Sequence, residues 1–285
     1  MPQPELQPWH DLCDRIVDLL EANKYRATID NELEVLDHTL LKTREERFCA
    51  VGLLTHLGAA YINDQNYGVP AERIPPQLAV PWYRVCEELH ILPTLTDFTA
   101  ANCNWSLHDQ TKGYILDNLK AIVTLTRHRG YEWFMMIPVS MEMEFGPLLL
   151  NILTIHYQLK KALENETTVN EEEMKERWSI CIKAMKKMVL NFMRMREHLD
   201  PMDFYHGMRP YLAGSYNNPG LPNGLIYEGI SNEGKRYIGG SAAQSCMAPF
   251  LDAIISVHHQ RPIEDYNKGL NMFDNASFVY TGFEI

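Results

Sequence analysis

Positive charge is scarce in this 285-residue sequence. It has 26 Lys and Arg against 37 Asp and Glu, a formal net charge of −11 and a pI near 5.5. Binding to phosphate or to an anionic lipid surface needs a concentrated basic patch, so neither a nucleic-acid partner nor a membrane partner is expected. No apolar run approaches the roughly 18 residues of a membrane span. The opening MPQPELQPWHDLCDRIVDLL carries acids where a secretory signal would carry bases. A soluble cytoplasmic protein is therefore expected.

Paired cysteine motifs are also missing. Cys13, Cys49, Cys86, Cys103, Cys181 and Cys246 lie far apart in sequence with no CxxC or Cys/His spacing of zinc type, which reads as reduced, mostly buried thiols. There is no HExxH, no GxSxG, and no Gly-rich fingerprint following a strand, so the common hydrolase, zincin and dinucleotide signatures are excluded. Internal repeats and low-complexity tracts are absent as well.

What remains is a chain that is 46% hydrophobic and long enough for one large domain or two unequal lobes. Helical spacing of apolar residues predicts helices over Leu12 to Ala22, Ile29 to Leu41, Arg44 to Asn63 and Trp82 to Leu89. Val80 is expected to be extended and Pro81 to begin a helix. WSLHDQTKGY reads as a connecting loop. Longer helices are expected over Trp133 to Leu163, Asn170 to His198 and Ser241 to about His259. Asn170 is placed as an N-cap, with glutamates in the first turn. Trp178, Ile182, Met185, Met188, Val189, Phe192 and Met195 form a stripe wide enough to face a core. The fold class is all-α and two-lobed. A small lobe and connecting segment span residues 1–125, a larger lobe 126–259 and a tail 260–285.

Between Phe204 and Ser245 runs FYHGMRPYLAGSYNNPGLPNGLIYEGISNEGKRYIGGSAAQS, rich in Gly, Pro and Asn yet laced with Tyr, Leu and Ile. Such a long ordered loop is expected to serve function. Arg209, beside Phe204, Tyr205 and Tyr211, has the chemistry of a carboxylate clamp with an aromatic wall. It also has the chemistry of a helix-end cap or of an ion pair with one of the surplus acids. IGGSAAQS puts Ser241 at a helix start, either a site for an anion or an ordinary N-cap. His258 and His259 read as histidines at a helix C-terminus. Glu142 and Glu144, two positions apart on a helix, face different sides.

The ordered motifs FYHGMRPYLAG, LPNGLIYEG and YIGGSAAQS resemble the indoleamine 2,3-dioxygenase family. The likeness is dense over Phe204 to Ala253 and thinner upstream, through IPPQLAVPWYRVCEELHILPTLTDFTAANCNW and YEWFMMIPVSMEMEFGP. It implies a two-lobed helical haem protein that inserts O2 across the indole C2–C3 bond of L-tryptophan or a related indoleamine, giving N-formylkynurenine, with haem b supplying the oxidation. The resemblance assigns Arg209 to the substrate carboxylate, Phe204 and Phe134 to the indole, Ala242 to the substrate ammonium region, and Ser241 with Gly240 to the haem edge. It implies no catalytic side chain and a monomer in the full-length form. Pro138 falls where the family has a small hydroxyl residue, and Ser140 nearby is expected to point elsewhere. The family's proximal His ligand is expected beyond the end of this chain, so no residue here is assigned to the metal. A truncated dioxygenase is the expectation, with a haem-free interaction protein as the alternative.

Overall fold

The computed structural model describes residues 4–257. Its helices are α1 (Gln7–Glu21), α2 (Tyr25–Glu32), α3 (Arg44–Ile62), α4 (Pro76–Leu89), α5 (Arg129–Glu164), α6 (Glu171–Met193), the single turns α7 (Pro201–Asp203) and α8 (Arg209–Leu212), and α9 (Met247–Ile254). Four short strands accompany them: β1 (Arg73–Ile74), β2 (Trp105–Leu107), β3 (Leu119–Ala121) and β4 (Ile226–Tyr227). The fold is all-α, as expected. Two compact units divide the chain, one of residues 4–103 with 208–257 and one of residues 104–207. This cut differs from the one drawn between residues 125 and 126. The Gly-rich segment packs back on the first hundred residues through pairings that leave no local sequence pattern.

In the first unit α3 is the centre. A Thr43–Glu46 capping box starts it, with the Glu46 amide donating to Thr43 Oγ1 at 3.1 Å and the Thr43 amide to Glu46 Oε2 at 3.0 Å. Every residue from Ala50 to Ile62 is buried, so this part of α3 has no exposed face, and α1, α2 and α4 pack against the helix. Close approach to α4 depends on Gly58. A Cβ there would lie 2.2 Å from Cζ3 of the buried Trp82 indole. α4 begins at Pro76 and runs through Val80 and Pro81, a correction to the expected break. Pro76 already takes the first-turn role, and burial of Leu78, Ala79, Trp82, Val85 and Cys86 holds the helix past Pro81. α2 stops at Glu32, short of the predicted end, and Leu33 is extended with its side chain in the core.

The segment after Met208 is a lattice of backbone bonds. β4 pairs in parallel with β1, an arrangement the sequence did not signal, and Leu225 and Lys235 exchange two N–H···O bonds of 2.9 and 2.8 Å. Gly214 and Gly239 face each other so closely that a Cβ on Gly239 would sit 2.4 Å from the Gly214 nitrogen. Side chains are excluded there. The helix expected from Ser241 to His259 is a 3-10 turn at Ala242–Gln244 followed by α9. His258, His259 and the tail 260–285 lie outside the described residues.

The second unit is built on the antiparallel pair α5 and α6, with β2 and β3 forming a small antiparallel sheet where a loop was expected. Asn104 ties that sheet together, its Nδ2 donating to the Val123 carbonyl and its Oδ1 accepting from the Val123 amide, both at 2.8 Å. α5 contains an 18-residue window of mean hydropathy 1.2, enough by length and composition for a membrane span, and 44% of that window is buried inside the fold. Asn170 caps α6 as expected, accepting from the amides of Glu172 and Glu173 at 3.1 and 3.2 Å. The stripe expected to face a core does not. Met188 is buried and Met195 half-buried, while Trp178, Ile182, Met185, Val189 and Phe192 are exposed. The flank that meets α5 is instead Met174, Cys181, Ala184 and Met188. Of the six cysteines, all free, only Cys13, Cys86 and Cys181 are buried. Cys103 is intermediate, and Cys49 and Cys246 are exposed.

Candidate functional site

The residues named from sequence fall in both units. In the second, the N-terminal turns of α5 hold the segment that follows α6. Gly130 admits the His198 carbonyl, which would lie 2.9 Å from any Cβ added at that glycine. The Trp133 indole N–H donates to the Arg194 carbonyl at 2.8 Å, and the His198 ring packs edge-on against Trp133 at 4.7 Å between centroids. Asp200 then caps α7 by accepting from the Met202 and Asp203 amides at 2.8 and 3.3 Å. A five-residue π-helical turn, Phe204–Met208, follows directly. These anchors bring Phe204 against Phe134, with ring centroids 4.9 Å apart and planes inclined by 44°.

Phe134 and Pro138, one turn apart on α5, are both half-exposed, whereas Ser140 is buried and its hydroxyl donates to the Ile137 carbonyl at 2.7 Å. Ser140 therefore does not replace the missing hydroxyl at Pro138. Glu142 and Glu144 are half-exposed, and Glu144 accepts from Lys187 Nζ at 3.2 Å.

In the first unit Arg209 opens α8 with its side chain exposed, next to the buried Tyr211. Burial, and after it the nearby Asp64 carboxylate, push the Tyr211 hydroxyl up to about 12, so it stays protonated at neutral pH. The Gly240 amide donates to the Leu212 carbonyl at 3.1 Å and so ties the Arg209 turn to the Ser241–Ala242 segment. Gly240 thus has its N–H committed. What it contributes is a missing side chain, since a Cβ would come within 3.1 Å of Leu95 Cδ2.

Ser241 and Ala242 are exposed, and Ser241 Oγ accepts from the Ala243 amide at 3.3 Å. Gln244 was not singled out from sequence, yet it organises the turn. Its Oε1 accepts from the Asp97 amide at 3.0 Å and the Ser241 amide at 3.3 Å, and its Nε2 donates to the Gly239 carbonyl at 3.1 Å. The Ser-x-x-Gln spacing of a capping box was the available signal.

The second unit presents an aromatic pair, Phe134 with Phe204, and the first an exposed guanidinium, Arg209, with a hydroxyl-bearing backbone turn at Ser241. The class defined by the fold is an all-α protein. The sequence matches the family model described as indoleamine 2,3-dioxygenase over residues 1–281. The chain belongs to that family. It is 27% identical over 264 residues to indoleamine 2,3-dioxygenase 2 of Homo sapiens, covering 91% of this chain and 62% of that one. It is 30% identical to indoleamine 2,3-dioxygenase 1 of Rattus norvegicus, covering 89% and 60%, and 27% identical to a myoglobin of Haliotis madaka, covering 89% and 63%. The chain spans about three-fifths of the length of the curated relatives it matches.

Proposed function

We propose that this chain is the substrate-facing portion of a haem dioxygenase acting on L-tryptophan or a related indoleamine, with O2 as co-substrate and N-formylkynurenine as product. The observation that carries the reading is the Phe134–Phe204 contact. Two rings distant in sequence meet where the family resemblance assigns the indole. Features of each unit taken by itself support the reading: a half-exposed aromatic pair in one, and in the other an exposed Arg209 and an exposed Ser241 hydroxyl whose proton is available to a carboxylate. Two of the described histidines are held by the fold. His56 is fully buried with Nδ1 against the Gly52 carbonyl at 2.7 Å, and His198 is packed on Trp133. The His that would hold the haem is proposed to lie outside the described residues.

Haem, when bound, supplies the oxygen chemistry. The chain's own residues bind and orient. Arg209 holds the substrate carboxylate through two charge-assisted hydrogen bonds. Phe134 and Phe204 pack the indole and exclude water. Ala242 leaves room for the ammonium group. No side chain is required to take a proton. Pro138 offers neither donor nor acceptor on its side chain, so the face beside Phe134 recognises the indole by shape alone.

The test supplies tryptophan and O2 to the reduced, haem-supplied protein and measures N-formylkynurenine by mass spectrometry. Arg209→Ala is expected to raise KM roughly 10- to 100-fold, the worth of a charge-assisted hydrogen-bonded contact. Absence of product both from the 285-residue chain and from a form extended to its relatives' length overturns the proposal. Because one relative carries the name myoglobin, haem uptake alone does not decide the reading and product formation does. The exposed apolar stripe on α6 favours a second role as an interaction protein.

A further inference from the structure

Arg194 closes α6 and opens the 3-10 turn Arg194–Glu197. Its guanidinium spans two carboxylates. Nη1 and Nη2 donate side by side to the two oxygens of Asp117 at 2.9 and 2.7 Å, while Nε and Nη2 donate to Glu197 at 2.9 to 3.0 Å. The same group lies 5.0 Å from the centroid of the Trp133 ring, whose N–H donates to the Arg194 carbonyl at 2.8 Å. Asp117 and Glu197 are both held below the usual carboxylate range, first of all by these hydrogen bonds, and so stay ionised at neutral pH. A surface ion pair adds little to stability, but bidentate geometry within a network fixes direction.

Direction matters at this place in the chain. Asp117 lies in the 3-10 turn Leu116–Asn118 directly before β3, and β3 is tied to α5 by the Ala121 amide donating to Glu132 Oε2 at 3.1 Å. Arg194 thus joins two routes back to the first turns of α5, one through Trp133 and one through Asp117. From it the chain runs past His198 and Asp200 to Phe204. We propose that Arg194 is a positioning residue: its planar fork sets where the 198–204 segment lies, and so holds the Phe204 ring on Phe134 without touching a ligand. That this governs affinity for an indole rests on the proposed dioxygenase function, whereas the ring placement does not. A lysine cannot substitute, because a single ammonium does not lie flat against an indole while donating along separate edges to two carboxylates. Without the guanidinium, Asp117 and Glu197 are like charges within reach of each other, which drives the turn after α6 away from the turn before β3.

The experiment places para-fluorophenylalanine at Phe204 in the full 285-residue chain and reads its fluorine NMR line, with Phe134→Leu marking the line of a ring that has lost its partner. Arg194→Met keeps an apolar stem over Trp133 and removes the donors. Its line is expected to move to the Phe134→Leu position. Arg194→Lys retains the charge and is expected to move the line as well. Asp117→Asn, a change at an exposed carboxylate that leaves the core alone, moves it part of the way. A merely structural role would lower the urea midpoint and leave the line of the folded protein in place. In the haem-supplied protein extended to its relatives' length, Arg194→Met raises KM for tryptophan about 2- to 10-fold, the worth of one aromatic contact, with kcat little changed. An unmoved line in Arg194→Met and Asp117→Asn overturns the proposal, as does a line in Arg194→Lys that matches the wild type. Wild-type protein that forms no product overturns the dioxygenase reading instead, and the fluorine line still decides the role of Arg194.

Discussion

Acid should destabilise the first unit through one side chain, His56. It is fully buried in the middle of α3, with its Nδ1 2.7 Å from the Gly52 carbonyl one turn earlier. That geometry suits a neutral ring donating from Nδ1. Burial lowers its pKa from the usual 6.5 to about 4, a cost that the Gly52 hydrogen bond only partly offsets. The unfolded chain therefore takes up a proton near pH 6.5 that the folded chain refuses until about pH 4. Stability is full above pH 6.5 and falls by about 1.4 kcal/mol for each pH unit below it, reaching a loss of roughly 3 kcal/mol near pH 4. Losses of that size are a large share of a domain's stability. The assay is urea unfolding at pH 7 and pH 5, compared with His56→Gln, which keeps a donor for the Gly52 carbonyl and cannot titrate. Between those pH values the wild-type protein should lose about 2 kcal/mol more than the variant. Equal losses in the two proteins would refute the reasoning, because the acid sensitivity would then come from groups common to both.

Two further outcomes test the packing and the cap. Gly58→Ala gains about 1 kcal/mol of helix propensity, but its Cβ meets three atoms of a rigid, buried indole at 2.2 to 2.8 Å. Overpacking of roughly 1–3 kcal/mol wins, so the urea midpoint should fall at unchanged slope, and a midpoint that stays or rises counts against the α3–α4 contact. Asn170→Ala removes the acceptor for two amides at the start of α6. A loss of about 1 kcal/mol is expected, recovered in large part by Asn170→Asp, and read as hydrogen-exchange protection in the first two turns of α6.

Where a local rule operates, the sequence was a good guide. Asn170 followed by three glutamates announces α6, and the helical spacing around α3 and α5 places both within a few residues. Where a tertiary contact decides, it was not. Trp105–Leu107 looks like loop until β3 arrives to pair with it, and Leu33 ends α2 because its side chain enters the core in an extended backbone. Nothing near Pro81 shows that burial on both sides will carry a helix through it. The pairing of residues 208–257 with the first hundred is likewise invisible locally, since two-residue strands carry no alternation to detect.

The candidate site divides in the same way. Arg209 and Ser241 offered two chemistries each, and spacing could not choose between them. The contact of Phe134 with Phe204 exists because Gly130, Trp133 and Asp200 hold residues 198–204 against α5. None of those three touches a proposed ligand. The stripe on α6 shows the converse limit of pattern reading. A seam spaced at 3.5 residues declares that a helix belongs against it, but the same seven apolar residues describe a buried face and an exposed one equally well. The placement of Met174, Cys181 and Met188 toward α5 turns Trp178, Ile182, Met185, Val189 and Phe192 away from it, exposed among the described residues. Periodicity therefore fixes which side chains act together, while the partner they act upon has to be found in three dimensions.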